Sequence, residues 1–318
     1  MGGRDKQRYR EPTVELPEHY VPSKIGIVTV TYGSGEVLPD FFASLNRQTY
    51  RNLLLISVDN ASKDNTLQQL HSYHGCEHRI IANSTNAGVA TGNNQGIRAA
   101  IEAGCEYVLL LNNDVVFGPE LFQQLLDGLA ENDCQMATPL IYYHDRPDTI
   151  WAAGGRFQPW YGYRCLHIGE GEKDVGQYAS PAQVAQTPTC CVLIHRSVFS
   201  KVGLMDERYF VYHDDTDFML RAYKDGILLY CLPQAKLLHK VSSLSGAGSD
   251  FQVHYGTRNR AFMLVKFMGR ILSLPYILAY QFLYLMRFVF GKDDYRMLRL
   301  KQASWTEGAR IPANWLPL

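Results

Sequence analysis

The chain has no CxxC pair, no net charge and no apolar segment near its start, and each gap closes off a class of protein. Its seven cysteines, Cys76, Cys105, Cys134, Cys165, Cys190, Cys191 and Cys231, are scattered and odd in number. That pattern argues against a disulfide framework or a zinc site and for reduced thiols in a cytosolic protein. Met1 to Tyr20 is charged and carries no apolar h-region, so it does not read as a secretory signal. Lys and Arg number 31 and Asp and Glu number 31, a balance that argues against a dedicated nucleic-acid binder. No internal repeat is visible. The zero net charge hides an asymmetry. Residues 251–318 hold ten Lys/Arg against three Asp/Glu and carry +7, leaving −7 on residues 1–250. A basic, apolar tail on an acidic body fits an anionic membrane surface or a phosphorylated lipid substrate.

What is present begins with residues 108–114, Val-Leu-Leu-Leu-Asn112-Asn113-Asp114. An apolar run this short suits a strand buried on both faces of a parallel sheet. Polar groups at its carboxyl end would enter the crevice where open α/β sheets bind ligands. The carboxylate and amides suit a divalent cation that also takes oxygens from a bound diphosphate. A strand followed by an Asx turn before Gly118-Pro119 is the simpler alternative for these residues. Strands are expected at 24–32, 53–58, 79–82 and 107–112, alternating with helices at 36–48, after the 59–66 loop, at 93–103 and from Pro119 to about Glu131. Such alternation means a mostly parallel, Rossmann-like α/β sheet with helices on both faces. Beyond residue 135 the pattern becomes irregular, and residues 156–186 read as hairpins or a mobile loop over a cleft. The expected organisation is an arm over 1–23, an α/β domain over 24–250 and a helical extension over 251–318.

Three polar clusters follow three strands: Thr31-Tyr32, Asp59-Asn60 and Asn112-Asn113-Asp114. Strand ends on one sheet edge converge, so these clusters can reach one ligand. A carboxylate such as Asp59 can accept the N3–H of a uracil or thymine ring, with Tyr32 against the base; capping a turn is the plainer role for Asp59. The Gly88–Gly96 stretch can bring backbone close to a ribose or diphosphate. Of the acids at a helix start, Asp217 is spaced for an i,i+4 pair with Arg221, and Asp214 can cap the helix. Asp215 is left without a local partner and suits a general base for a sugar hydroxyl. His239, after an apolar strand, can serve as a structural residue or join Asp114 on a metal.

The ordered set Thr31-Tyr32, Asp59-Asn60-Ala-Ser, Asn86-Ala-Gly88-Val-Ala-Thr-Gly92-Asn93-Asn94-Gln-Gly96, Asn112-Asn113-Asp114, Tyr212-His-Asp214-Asp215-Thr-Asp217 and His239 resembles family 2 glycosyltransferases of GT-A fold, bacterial rhamnosyltransferase-like members above all. Tyr255-Gly-Thr-Arg258-Asn259-Arg260 looks like the segment that follows the domain in that family. The likeness covers about residues 24–265. It implies inverting transfer from a nucleoside-diphosphate sugar, dTDP-rhamnose or a UDP-sugar, to a glycan or lipid-linked acceptor in cell-surface glycan synthesis. Asp59 would hold the base, Asp114 and His239 would bind Mg²⁺ or Mn²⁺, and Asp215 would deprotonate the acceptor. Thr31, Tyr32, Asn60, Asn86, Gly88, Asn94, Asn112, Asn113, Gly155, Asp214 and Arg258 complete the expected substrate contacts. The departures are Asn112 for the first Asp of a DxD motif, Asp214 for Glu and Thr31 for Asn. A nucleotidyltransferase would want a basic Gly-rich signature near the first strand, and Gly33-Ser34-Gly35 has no Lys or Arg nearby. A non-catalytic nucleotide- or carbohydrate-binding scaffold is the other alternative.

Residues 271–290 are almost wholly apolar and flanked by Lys266, Arg270, Lys292, Arg296 and Arg299. A run of about twenty such residues can span a bilayer, but Pro275, Gln281 and Arg287 count against it. A helix lying on the membrane is preferred over packing in a core or in a homo-oligomer such as a dimer, with spanning the third alternative. The expected location is the cytoplasm, peripheral on the inner face of the cell membrane.

Overall fold

A computed structural model describes residues 23–241 and 249–314. The arm expected over 1–23 and the Ser/Gly loop after residue 241 fall almost entirely outside the described residues. The elements, in order, are β1 (Ile25–Thr31), α1 (Leu38–Asn46), β2 (Leu53–Asp59), α2 (Thr66–Ser72), β3 (Glu77–Ala82), α3 (Val89–Glu102), β4 (Tyr107–Leu111), β5 (Val115–Phe117), α4 (Leu121–Glu131), β6 (Met136–Tyr143), β7 (Ile150–Ala152), β8 (Gly155–Gln158), β9 (Arg164–His167), β10 (Ala182–Val184), β11 (Cys191–His195), α5 (Ser197–Val202), α6 (Asp214–Lys224), β12 (Leu229–His239), α7 (Asp250–Val289) and α8 (Tyr295–Arg310).

The main sheet runs β10-β12-β6-β11-β4-β1-β2-β3, with β5 on β12 and β7 on β6. Strands β3, β2, β1 and β4 are parallel. Strand β11 lies antiparallel between β4 and β6, and β6 is parallel to β12. The fold is therefore a parallel α/β half joined to a mixed half, with helices on both faces.

The apolar run of β4 is explained by its position. Val108 and Leu110 belong to the core on one face of the sheet, and Leu109 and Leu111 to the core on the other. A strand that buries both faces has no polar alternation to show. Each such side chain contributes about 1.5–3 kcal/mol by burial. Helix α3 lies close on β1, because a Cβ on Gly96 would stand 2.3 Å from Val28 and one on Gly92 2.9 Å from Val30. Those two glycines serve helix-to-strand packing, whereas the sequence suggested an approach to ligand phosphate.

Helix α7 turns sharply at Gly269, which has φ +76 and ψ 166. Its first limb packs Phe262 and Met263 against Tyr209 and Leu220. The chain then folds back, so that Tyr284 of the second limb shares a cluster with Ala261, Leu264 and Trp305. A buried ionic network ties this appendage to the sheet domain: Lys266 Nζ reaches Asp206 at 2.7 Å and Asp217 at 2.6 Å, and Arg221 Nε donates to Asp217 at 2.7 Å. Asp217 thus has the structural role that its spacing to Arg221 indicated.

Candidate active site

Parallel register sets Thr31 beside Asp59 at the carboxyl ends of β1 and β2. Thr31 Oγ1 donates to Asp59 Oδ1 at 2.9 Å. Ser62 adds its hydroxyl to Oδ1 at 2.5 Å and its backbone N–H to Oδ2 at 3.1 Å. The carboxylate is therefore fixed in direction, and Oδ2 keeps acceptor capacity. Next to it, Asn60 Nδ2 donates to the Gly88 carbonyl at 3.0 Å, while Asn86 Oδ1 accepts the Gly88 N–H at 3.0 Å. Gly88 has φ +86, and a Cβ there would stand 2.6 Å from the Phe210 carbonyl oxygen. Its lack of a side chain lets the loop before α6 close over the start of α3.

The short strand β5 pairs with the end of β12, with Val115 opposite His239. That register, with the Lys240 N–H donating to the Asp114 carbonyl at 2.9 Å, brings Asp114 and His239 together. Asp114 Oδ1 lies 3.3 Å from His239 Nε2. Two adjacent ligands of an octahedral ion with bonds near 2.1 Å are separated by about 3 Å, so this oxygen and nitrogen fit one divalent cation. Trp151 packs edge-on to His239 at 4.5 Å and to His167 at 4.8 Å, holding the imidazole in orientation. Asn113 turns inward, donating to the Val30 carbonyl at 2.8 Å.

The third set lies at the start of α6. Phe210, Tyr212 and His213 all have positive φ, at 65, 61 and 65. Non-glycine residues hold this region only when surrounding contacts enforce it. Asn259, wholly buried, enforces it here: its Nδ2 lies 2.8, 2.7 and 2.9 Å from the carbonyls of Tyr209, Val211 and Tyr212. Asp214 and Asp215 follow. Burial, then the neighbouring Asp215, pushes the Asp214 carboxyl up to about 8, and its buried Oδ2 has no hydrogen-bond partner among the described residues. Burial also raises Asp215, but donors oppose it. Thr216 offers its N–H at 2.6 Å and its hydroxyl at 3.1 Å, and His167 lies near enough to favour the charged form. Two adjacent acids cannot both ionise cheaply, and the donors around Asp215 favour the charge on its side of the pair.

One cavity of about 790 Å³ gathers Tyr32, Asn60, Asn86, Gly88, Asn112, Asn113, Asp114, Asp214 and Asp215 in its walls. The buried Cys190 thiol lies within the fields of both Asp114 and Asp215. Thr31 and Asp59 are buried just behind the walls. His239 is not in the lining and meets it through Asp114, 3.3 Å away. Three further expected contacts lie apart from the cavity lining. Arg258 Nε pairs with Glu307 at 2.6 Å, and its Nη1 donates to the Arg208 carbonyl at 2.9 Å, so it clamps the α6 loop. The Asn94 amide is spent on Met205 and Glu207. Gly155 begins the β8–β9 hairpin, where a Cβ would meet Gln186 Oε1 at 2.1 Å. Sequence reasoning missed Asn259, Trp151 and His167, which act through contacts 47 or more residues away or through ring packing that no local pattern records.

A sheet whose polar strand ends face one cavity, lined by Asp114 with His239 at its back and by a helix-start acid pair, is the arrangement of a GT-A nucleotide-sugar glycosyltransferase. Residues 26–203 match the family described as Glycosyl transferase family 2. An N-acetylglucosaminyl-diphospho-decaprenol L-rhamnosyltransferase of Mycobacterium tuberculosis is 32% identical over 247 residues, covering 69% of this chain and 77% of that protein. A dTDP-rhamnosyl transferase, RfbF, of Shigella flexneri is 25% identical over 260 residues, covering 77% of this chain and 80% of that protein. Among solved structures, GalNAc-T7 with UDP, GalNAc and Mn²⁺ superposes with a TM-score of 0.61 at 13% identity, and S. aureus TarS with 0.54 at 14%. The alignments cover 92% and 90% of this chain but only 56% and 54% of those longer ones. The chain belongs to glycosyl transferase family 2 and is rhamnosyltransferase-like.

Proposed function

We propose that the protein transfers a sugar, with rhamnose from dTDP-rhamnose the first choice and a UDP-hexose the second, to a hydroxyl of a lipid-linked or polysaccharide acceptor, with inversion at the anomeric carbon. The observation that carries this reading is the shared cavity of Asp114 and Asp215. Asp59 Oδ2 accepts the N3–H of the pyrimidine, and the exposed Tyr32 ring flanks the base. Asp114 and His239 would hold Mg²⁺ or Mn²⁺; among the described residues no group of three or more His, Cys, Asp or Glu side chains gathers. When bound, that ion supplies positive charge against the charge growing on the leaving diphosphate. Asp215 takes the proton of the acceptor hydroxyl as its oxygen bonds to the anomeric carbon and the bond from that carbon to the diphosphate breaks. Asp214, pushed up by burial and by Asp215, limits the charge on the pair, and the Thr216 donors favour that charge on Asp215.

In this reading residues 24–250 carry the chemistry and the C-terminal helices dock it on the inner face of the cell membrane. Ile271, Leu274, Leu278, Phe282, Leu285 and Val289 form an exposed stripe at helical spacing along the second limb of α7. Arg270 and Lys292 are exposed at its two ends. The limb is apolar and long enough to cross a bilayer, but Ser273 and Tyr284 on its other side are buried against the protein. One face packed and one face apolar fits a helix lying in the interface. The test of function is incubation of the purified protein with dTDP-rhamnose, UDP-hexoses and a membrane extract. Transfer from dTDP-rhamnose with an inverted anomeric signal by NMR is expected; retention of configuration would contradict the single-displacement reading.

A further inference from the structure

A second cavity, of about 320 Å³, opens beside the first. His213 and Thr216 line both cavities, so the two adjoin across the residues that bracket Asp214 and Asp215. Its remaining walls come from distant parts of the chain: Arg164 from the β8–β9 hairpin, and Arg260, Tyr280 and Tyr284 from α7. Two guanidinium groups line it and no carboxylate does.

Arg260 is only 7% exposed. One of its terminal nitrogens donates to the Tyr161 carbonyl at 2.6 Å, and its guanidinium lies 6.0 Å from the Tyr280 ring. Its buried Nε has no hydrogen-bond partner among the described residues. Anchoring the hairpin accounts for one donor of this side chain and leaves that one unmet. A buried charged donor without an acceptor is costly, and a ligand oxygen would relieve it. Arg164 is exposed and makes no ion pair among the described residues. Burial, then the nearby Arg260, lowers His213 to about 4, so the wall it forms is uncharged at neutral pH and does not repel Arg260. Paired guanidinium groups with tyrosines beside them recognise a phosphoryl group by charge-assisted hydrogen bonds.

Tyr280 and Tyr284 of this cavity stand on the same limb of α7 as the exposed apolar stripe. Tyr276 Oη donates to the Trp160 carbonyl at 2.9 Å, and the Trp160 ring is 89% exposed. The exposed stripe of α7 starts at Ile271, which is 86% exposed. An anion site walled by a helix that bears an exposed apolar stripe suits a phosphorylated lipid, whereas a free nucleotide would need no such stripe.

We propose that this second cavity binds the diphosphate of a lipid-linked acceptor, with Arg164 and Arg260 as its cationic ligands, and so presents the acceptor sugar to Asp215 from beside the donor cavity. The inference rests on the glycosyltransferase reading above for the role of Asp215, but the anion site itself does not. Geranyl diphosphate, titrated by calorimetry into the full-length protein saturated with dTDP and Mg²⁺, tests it. The titration is repeated with Arg164→Gln and Arg260→Gln, and with inorganic pyrophosphate in place of the prenyl compound. Binding to the wild type, weakened tenfold or more in each variant while dTDP affinity stays within twofold, is the expected result. Arg164 is exposed, so its variant remains informative if Arg260→Gln does not fold. No binding to the wild type, or unchanged binding to folded Arg164→Gln, overturns the proposal. Inorganic pyrophosphate is expected to bind at least tenfold more weakly than geranyl diphosphate; equal affinity would mark a general anion site and overturn the lipid assignment. Arginine-dependent prenyl diphosphate binding in a wild type that fails to bind any dTDP would uphold this site and sink the donor-site reading instead.

Discussion

Asp114 stands at the end of a strand buried on both faces, while Asp215 stands one residue into a helix whose entry loop is held in a conformation that ordinary residues avoid. The first is placed by sheet register: β5 on β12 fixes Asp114 against His239 with hydrogen bonds the sheet would make anyway. The second is placed by side chains from outside the sheet, with Asn259 and Arg258 reaching from α7 to hold the carbonyls of residues 208, 209, 211 and 212. Positive φ at three non-glycine residues costs on the order of 1–3 kcal/mol each, which these contacts must offset. In the proposed roles, the side for the leaving group is built into the core and the side for the base depends on the appendage, so the proposed membrane docking and the base would share one element.

Substitutions can separate the two sides. The largest effect is expected from Asp215→Asn, which should lower kcat about 10²–10⁴-fold while leaving donor affinity intact; near-normal turnover in a steady-state assay would remove Asp215 as base. His239→Ala and Asp114→Ala should instead act on donor binding. Even outer partners of a bound metal cost about 10–100-fold in affinity when removed, and direct ligands should cost at least as much. Calorimetric titration of dTDP with and without Mn²⁺ would read this, and equal affinity in both conditions for wild type and variant would refute the pair. Asn259→Ala should lower stability by about 1–3 kcal/mol and reduce turnover without changing the Mn²⁺ dependence of donor binding. A loss confined to donor affinity would mean that Asn259 serves the other side. Leu278→Asp with Phe282→Asp should be the mildest, weakening sedimentation with anionic vesicles while leaving turnover on a soluble acceptor unchanged. Unaltered vesicle binding together with a smaller native mass would identify the apolar face as a self-association surface.

The strand-end side was far more legible in the sequence than the helix-start side. The apolar run of β4 and the β-branched β1 announce buried strands because both faces are covered, and the polar residues after them stand out by contrast. His239 was legible as a partner for Asp114 from its side-chain chemistry and the family likeness but not from any spacing, since β5 is three residues long and pairs with residues about 120 positions further on. Asp215 was legible by subtraction, because Asp217 had a visible partner in Arg221 and Asp215 had none. Asn259 was hidden for a physical reason. A buried amide that satisfies backbone carbonyls leaves no periodicity and no charge, and its neighbour Arg258 drew the functional assignment. Helix α3 began four residues earlier than its pattern suggested, at Val89, because the chain leaves the extended state at Gly88 with positive φ rather than at a capping side chain. The extension over 251–318 read as helical without a break, but Gly269 bends α7 just before the apolar run at 271–290 and lets its two limbs meet.

The most direct measurement is diffraction from crystals grown with dTDP and Mn²⁺, read at the manganese edge. An anomalous peak within coordination distance of Asp114 Oδ1 and His239 Nε2, with the dTDP diphosphate in the cavity that Asp215 also lines, is the predicted result. A peak elsewhere, or a nucleotide bound in a cavity that Asp215 does not reach, would contradict the claim that donor and base face one reacting carbon.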